Sequence, residues 1–342
     1  MHIPIQNIYY LLCYAWNKLE EQDQAAVSID DQTSLLDLFA KVLNNATRIL
    51  LKRGIDRSYV EQTTEISGIK GKLAISETLK RNILHQQRTV CVFDEFSPDI
   101  LTNQILVSTL RKLIRVKPLD KGLKLESRQL LYMFPGIRPI TIKPSHFKQI
   151  RLNRNNRFYH FIIKVCEIIH QNILPGEEAG TYQFADFTRD ERKMNQLFEH
   201  FVFNFYRLEQ NTYKVKRDNI HWQFETEDDL SKSHLPRMQT DITLISNDEK
   251  IIIDAKYYRE TMSAYYGSEK IKSGNLYQLF SYLMNQESDD PKTKRTKGIL
   301  LYPTIEKEYD LKYAFRDHPI EIRTVNLNDD WRRIRKRLLE II

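Results

Sequence analysis

The segment Met238 to Tyr258, MQTDITLISNDEKIIIDAKYY, constrains what this chain can fold into more than any other stretch. Two runs rich in β-branched residues flank the polar pair Asn247-Asp248, which predicts an antiparallel hairpin closed by a two-residue turn. Such a turn fixes the register: Ser246 faces Glu249, Thr243 faces Ile252, and Asp241 faces Asp254. Directly opposed residues hold their Cβ atoms about 5 Å apart, close enough for two carboxylates to share one divalent cation. Lys256 follows two residues after Asp254 and shares its face, while Ile242, Leu244, Ile251, Ile253 and Ala255 point the other way. Because Ile251 to Ile253 is a continuous apolar run, Asp254 and Lys256 emerge at the end of a buried strand, where charge is costly without a purpose.

That set of side chains suits phosphodiester hydrolysis. The reaction needs a nucleophilic water, neutralisation of the phosphate and stabilisation of the departing oxygen. Two carboxylates holding Mg²⁺ supply the Lewis acid and place the water, and an ammonium beside them orients that water or meets developing charge. The carbonyl of Ala255 is a further oxygen donor. A D-x-K triplet by itself fits a surface salt bridge equally well, so the hairpin register and the apolar run carry the argument.

Around the hairpin the chain predicts an α/β succession: a helix from Asp190 to Tyr206, strands at Asn219–Thr226, Thr240–Ile245 and Lys250–Tyr258, a helix from Asn275 to Met284, and a strand at Gly298–Tyr302. The first half reads as a mixed α+β unit. Its helices are expected at Ile8–Leu19, Leu35–Leu51, Leu101–Arg115 and Arg157–Ile169, short strands around Gly68 and Gly71, and a strand at Arg88–Phe96; Pro135, Pro139 and Pro144 break the chain into loops. The boundary is expected near Pro175-Gly176-Glu177, giving a 1–175 domain and a 176–342 domain.

Composition narrows the class of protein. At 41% hydrophobic and 28% charged, the 342 residues match neither a disordered nor a fibrous chain. The opening MHIPIQNIYYLLCYAW lacks a basic leader and mixes Tyr, Asn and Gln into its apolar run, so neither secretion nor membrane spanning fits, and a cytoplasmic location is expected. Cys13, Cys91 and Cys166 are far apart and show no zinc or disulfide spacing; they are expected as buried thiols. A net charge of +7 and a pI near 9.0 suit a polyanionic partner. Gly68-Ile-Lys-Gly71 lacks the spacing and closing Ser or Thr of a phosphate loop, so its glycines are expected to serve tight turns. The basic helix from Trp331 fits a solvated amphipathic face better than a phosphate track, and the same holds for Arg151, Arg154 and Arg157.

Asp241 with Asp254-Ala255-Lys256 resembles the PD-(D/E)xK nuclease superfamily, and Gln278-Leu-Phe-Ser-Tyr282 resembles the QxxxY element of its RecB-like branch. Leu197-Phe198-Glu199, with Phe201 and Val202, resembles the leading-helix segment that carries a further acid. Across both halves, Ile5-Gln-Asn-Ile-Tyr-Tyr-Leu-Leu, Phe93-Asp-Glu-Phe-Ser-Pro-Asp99 with Asn103, Phe187-Thr-Arg-Asp-Glu191 and Ile253-Asp-Ala-Lys-Tyr-Tyr258 resemble the McrC family of methylcytosine-dependent restriction systems.

The resemblance implies an α/β chain with a C-terminal restriction-endonuclease-like domain preceded by an α+β partner-binding domain. It implies Asp241, Asp254 and Glu199 at Mg²⁺, Lys256 at the attacking water, and Gln278 and Tyr282 holding the lysine or a DNA phosphate. The implied partners are DNA and a hexameric McrB-like AAA+ GTPase ring that the N-terminal half enters and stimulates, with contact between two McrC subunits joining two complexes. The rival readings are a non-catalytic activator of a ring NTPase and a free-standing RecB-like repair nuclease.

Overall fold

A computed structural model of the chain describes residues 3–15, 34–153, 156, 158–176, 181–225, 229–258, 263–265, 268–305 and 308–342. Arg154, Arg157, Glu177, Thr226 and the end of the helix expected over Ile8–Leu19 lie outside them. The chain divides into two compact units, Ser34–Ala185 and a second built from Met1–Thr33 together with Asp186–Ile342. This departs from a cut after residue 175 in two ways. At Gly176 the chain turns back within one unit, so that β4 (Ile173–Pro175) pairs with β5 (Tyr182–Phe184). And the first helix, α1 (Ile5–Ala15), belongs with the C-terminal half.

The Ser34–Ala185 unit opens with α2 (Leu35–Arg53), whose first turn is capped by Ser34 Oγ accepting from the Asp37 amide at 3.1 Å. Next come β1 (Ser58–Ser67), β2 (Lys72–Leu73), α3 (Ile75–Arg81) and β3 (Arg88–Ser97), with β3 in the middle of a three-stranded antiparallel sheet. Gly71 makes the tight turn expected of it: its φ is +68°, and a Cβ there would lie 2.5 Å from the Val92 carbonyl oxygen. The unit continues through α4 (Leu101–Ile114), α5 (Lys121–Tyr132), α6 (Pro144–Gln149) and α7 (Phe158–Asn172). Helix α5 sits in the stretch read as proline-broken loops; its apolar side is thin, with Leu130 buried and most other positions polar. Asn103, fully buried on α4, donates to the carbonyls of Asp56 and Pro98 and accepts from the Tyr159 hydroxyl. The Phe93–Asp99 motif and Asn103 therefore fasten the base of the β1–β3 pair.

In the other unit, α1 is followed in sequence by α8 (Glu191–Glu209), β6 (Lys214–Lys216), β7 (Asn219–Ile220), α9 (Asp229–Ser233), β8 (Met238–Gln239), β9 (Ile242–Ile245) and β10 (Lys250–Ala255). After β11 (Ser263–Tyr265) and β12 (Ser268–Lys270) come α10 (Ser273–Asn285), α11 (Pro291–Lys294), β13 (Lys297–Thr304), β14 (Asp310–Phe315), β15 (His318–Asn326) and α12 (Trp331–Ile341). Six strands form one mixed sheet in the order β14-β15-β13-β10-β9-β6, with β10, β13 and β15 parallel. Thr243 pairs with Ile252 and Ile242 with Ile253, the register expected of the Asn247-Asp248 turn. The strand expected over Asn219–Thr226 shrinks to the two residues of β7, which pair with β8, and the sheet position beside β9 goes to β6.

In the six-stranded sheet, β6, β14 and β15 escaped the sequence pattern. In β15, Glu321 and Arg323 interrupt the apolar run, and the structure compensates them by an ion pair at 2.7 Å. Helix α10 packs on the sheet face carrying Ile252, Leu300 and Ile322. Gly298 permits this closeness, since a Cβ there would stand 2.9 Å from Leu283 Cδ1. Among the described residues no helix is long and apolar enough to cross a membrane, and all three cysteines are buried.

Helix α1 buries Ile8, Leu11, Leu12, Cys13 and Tyr14 and needs a large apolar seat. It finds one on α8 and α12: the Tyr14 ring lies 5.7 Å from Phe201 and 5.3 Å from Trp331, and Tyr10 stacks on Trp331 at 4.7 Å. Asn7 Nδ2 donates to the carbonyls of Leu327 at 2.8 Å and Asp329 at 2.9 Å, closing the turn between β15 and α12. Asn7→Ala leaves those carbonyls without this donor, and a loss of about 1–3 kcal/mol is expected. Urea unfolding followed by Trp fluorescence measures it, and an unchanged midpoint would show that α1 is not part of this cooperative unit.

Candidate active site

Strand β10 delivers Asp254 to the point where the hairpin ends. The antiparallel ladder stops at Ile242–Ile253, and the next free amide on that side, Ala255 N, donates to Asp241 Oδ2 at 3.1 Å. The carboxylate thus takes over from a strand carbonyl, and this fixes its orientation. On the other edge, Lys256 N continues the pairing with β13 by donating to Leu301 O at 3.0 Å. Lys256 Nζ then reaches both carboxylates, 2.9 Å from Asp254 Oδ1 and 3.2 Å from Asp241 Oδ2. Asp241, Asp254 and Lys256 are brought together as the hairpin register required.

Burial makes this trio electrostatically stiff. The Asp254 side chain is 0% exposed, and those of Asp241 and Lys256 are 13% and 15% exposed. Desolvation pushes the Asp254 carboxyl up to about 7; the Lys256 ammonium opposes the rise and the Asp241 charge adds to it. Burial works against charge on Lys256, but the two carboxylates outweigh it and hold the ammonium above the ordinary lysine range. Asp254 Oδ2 is buried and has no hydrogen-bond partner among the described residues. An orphaned carboxylate oxygen beside a second converging carboxylate is a hard oxygen donor set, which fits Mg²⁺.

The remaining expected residues lie around this centre with different partners. Glu199 on α8 pairs with Arg217 at 2.9 Å. Burial, then the Asp241 charge, raise its carboxyl above the usual range, against Arg217, His200 and Lys256. Among the described residues, no three His, Cys, Asp or Glu side chains are grouped so as to hold one ion. Gln278 Nε2 donates to the Tyr282 hydroxyl at 2.6 Å, and that hydroxyl donates to Gln239 O at 3.0 Å. The pair therefore ties α10 to the backbone two residues ahead of Asp241, and among the described residues the lysine ammonium is held by the two carboxylates. Gln278 is only half-buried and keeps one face open.

Sequence reasoning missed two participants. Arg217, whose guanidinium lies 5.0 Å over the Phe203 ring, is the counter-ion of Glu199. Asn195 Oδ1 accepts from the Tyr257 amide at 2.7 Å. Its place four residues before Glu199, on the same face of α8, was the available signal. Four cations of the basic helix α12 have acidic partners, only one of them on the helix itself: Arg335 pairs with Glu209, Arg337 with Asp310, Arg333 with Asp329 and Lys336 with Glu340.

The profile of a family described as "McrBC 5-methylcytosine restriction system component" matches residues 6–303. The type IV methyl-directed restriction enzyme EcoKMcrBC of Escherichia coli (strain K12) is 37% identical over 339 residues, covering 99% of this chain and 97% of the relative. A solved structure, the refined half-complex from a tetradecameric assembly of Thermococcus gammatolerans McrB AAA+ hexamers with bound McrC, has a chain that superposes with a TM-score of 0.57 at 19% identity. That match spans 99% of this chain and 76% of the other, and it shows a shared fold.

The raised Asp254 carboxyl has a consequence for stability without metal. A carboxyl whose folded pKa lies above its ordinary 3.8 contributes stability that is complete below about pH 4 and is lost as pH rises through about 7. Asn at this position cannot ionise. In EDTA, the Tm of Asp254→Asn relative to the wild type is expected to rise by a few °C between about pH 5 and about pH 8. Thermal melts across that range measure the gap, and a gap independent of pH would contradict the assignment.

Proposed function

The chain belongs to the McrBC 5-methylcytosine restriction family, and from that premise we propose that it is the DNA endonuclease subunit of a modification-dependent, type IV restriction complex. The observation that carries this reading is the grip of one ammonium on two carboxylates, one of which is fully buried and keeps an unpartnered oxygen. Asp241 and Asp254 would hold Mg²⁺, and Glu199, paired with Arg217 in this structure, would join as the third acid on the metal side only on leaving that partner. Mg²⁺ held there supplies Lewis acidity and positive charge to the phosphate oxygens. Lys256 is fixed by Asp241 and Asp254 and turns its remaining N–H toward the attacking water and the charge that develops on phosphate. Gln278 and Tyr282 brace the strand ahead of Asp241 through Gln239 O, and the open face of Gln278 meets the DNA backbone.

The Ser34–Ala185 unit is the partner-binding part of this proposal. It carries no nucleotide-binding loop of its own, which suits a chain that relies on a separate motor. In the Thermococcus gammatolerans assembly, McrC is bound to McrB AAA+ hexamers, and by analogy this unit engages and stimulates a GTP-driven AAA+ ring. Modified DNA is then read by the partner. On this reading, contact between two of these chains joining two complexes would bring one such trio to each strand for a double-strand break. The whole cycle takes place in the cytoplasm, where the DNA is.

Asp254→Ala separates the two roles. Cleavage of a long methylated plasmid, with Mg²⁺, GTP and the partner ring, is expected to fall to background. Stimulation of the partner's GTPase is expected to stay within about twofold of wild type, since the substitution lies outside the Ser34–Ala185 unit. Undiminished cutting by the variant would refute the site, and cutting by the wild-type chain without its partner would favour a free-standing nuclease.

A further inference from the structure

We infer that Asn195 is a positioning residue for Lys256, acting through the backbone of Tyr257; this rests on the nuclease reading above. Strand β10 ends at Ala255, yet the next two residues remain at the floor of the site. Lys256 N is held by Leu301 O of β13 at 3.0 Å. The amide that follows, Tyr257 N, belongs to a residue only 2% exposed, and the Asn195 side chain on α8 accepts from it at 2.7 Å. A peptide group is planar, so a hydrogen bond to its N–H orients the whole plane. The planes on both sides of the Lys256 Cα are therefore anchored, one by the sheet and one by α8. Together they fix φ and ψ of Lys256, and with them the direction in which its side chain leaves.

That direction matters because one ammonium must meet two acceptors, Asp254 Oδ1 at 2.9 Å and Asp241 Oδ2 at 3.2 Å. Reacting groups must hold to within about 0.5 Å and 10–20° of their productive geometry. The role of Asn195 is that of an acceptor, since its Oδ1 receives the Tyr257 N–H. Asn195 also stands one helical turn before Glu199 on the same face of α8. The bond to Tyr257 thus sets the helix and the lysine strand at a fixed spacing and holds the acid and the ammonium in one frame.

The test compares Asn195→Ala with Asn195→Asp in the full chain. Alanine removes the acceptor and favours the helix, so folding is retained; aspartate keeps an acceptor of the same shape. Amide hydrogen exchange at Tyr257 reads the bond directly, and plasmid cleavage with partner ring, GTP and saturating Mg²⁺ reads its effect. Asn195→Ala is expected to speed Tyr257 exchange at least about tenfold and to lower the maximal cleavage rate by roughly 10–100-fold. Tm is expected to fall by only a few °C, and GTPase stimulation to stay near wild type. Asn195→Asp is expected to restore protection and to bring the rate within about fivefold of wild type. Wild-type cutting by Asn195→Ala overturns the inference, as does a rate equally low in Asn195→Asp with Tyr257 protection intact. Asp254→Ala, run alongside, separates the failures. If it cuts normally, the nuclease site is wrong; if it is inactive while Asn195→Ala cuts normally, only the positioning role is lost.

Discussion

Two carboxylates and an ammonium, one carboxylate fully buried and the other two groups largely so, set the terms for everything around them at the end of a central strand. Removing charges from water costs several kcal/mol per ion, and an isolated Asp254 at 0% exposure would not remain ionised. Lys256 offsets that cost only because the geometry is tight on all sides. Asp241 is oriented by the Ala255 amide, Asp254 by the strand, and Lys256 by the peptide planes on either side of it. The sheet is built accordingly. The Ile251–Ile253 run buries β10 on both faces, parallel pairing with β13 carries the backbone two residues beyond the hairpin ladder, and Gly298 lets α10 settle against it. Stability and chemistry pull in opposite directions at Asp254, whose unpartnered oxygen is a liability in the metal-free fold and the natural place for a cation.

What could be read from sequence followed periods and turn chemistry. The hairpin register was legible because a two-residue turn and a side-chain period of two leave little freedom, and all four ladder pairs agree with it. The carboxylate pairing and the position of Lys256 came with it. The role of Gln278 and Tyr282 was legible as a shared helix face but not as a contact, because their partner is a backbone carbonyl, Gln239 O, which no side-chain pattern encodes. Asn195 was hidden for the same reason, since it binds a peptide amide. Strand β15 was missed because Glu321 and Arg323 neutralise each other only once they are folded.

The domain division shows a different kind of blindness. Residues near the N-terminus were assigned to the nearest sequence neighbours, whereas α1 is seated by Phe201, Phe205 and Trp331, far along the chain. Apolar content announced that α1 would be buried and said nothing about where. The Asn7 bonds to Leu327 O and Asp329 O make the assignment specific, because a helix merely resting on an apolar surface would not need to satisfy two particular carbonyls. The sequence motif around Asn7 is therefore a structural clasp of the unit that carries the candidate site.

The charge balance of the site has a further consequence for how a nuclease of this design would work. Asp241, Asp254 and Glu199 face Lys256 and Arg217, and with all five ionised they carry a single net negative charge. A phosphodiester is also negative, and within about 4 Å in a partly buried site like charges repel by several kcal/mol. One divalent cation reverses the sign. On the proposed reading the metal-free site turns the DNA backbone away and the loaded site draws it in, so metal and phosphate bind with positive coupling. Arg217 belongs to the same logic. While it neutralises Glu199 it limits the negative charge that must be buried, with its guanidinium resting on the Phe203 ring.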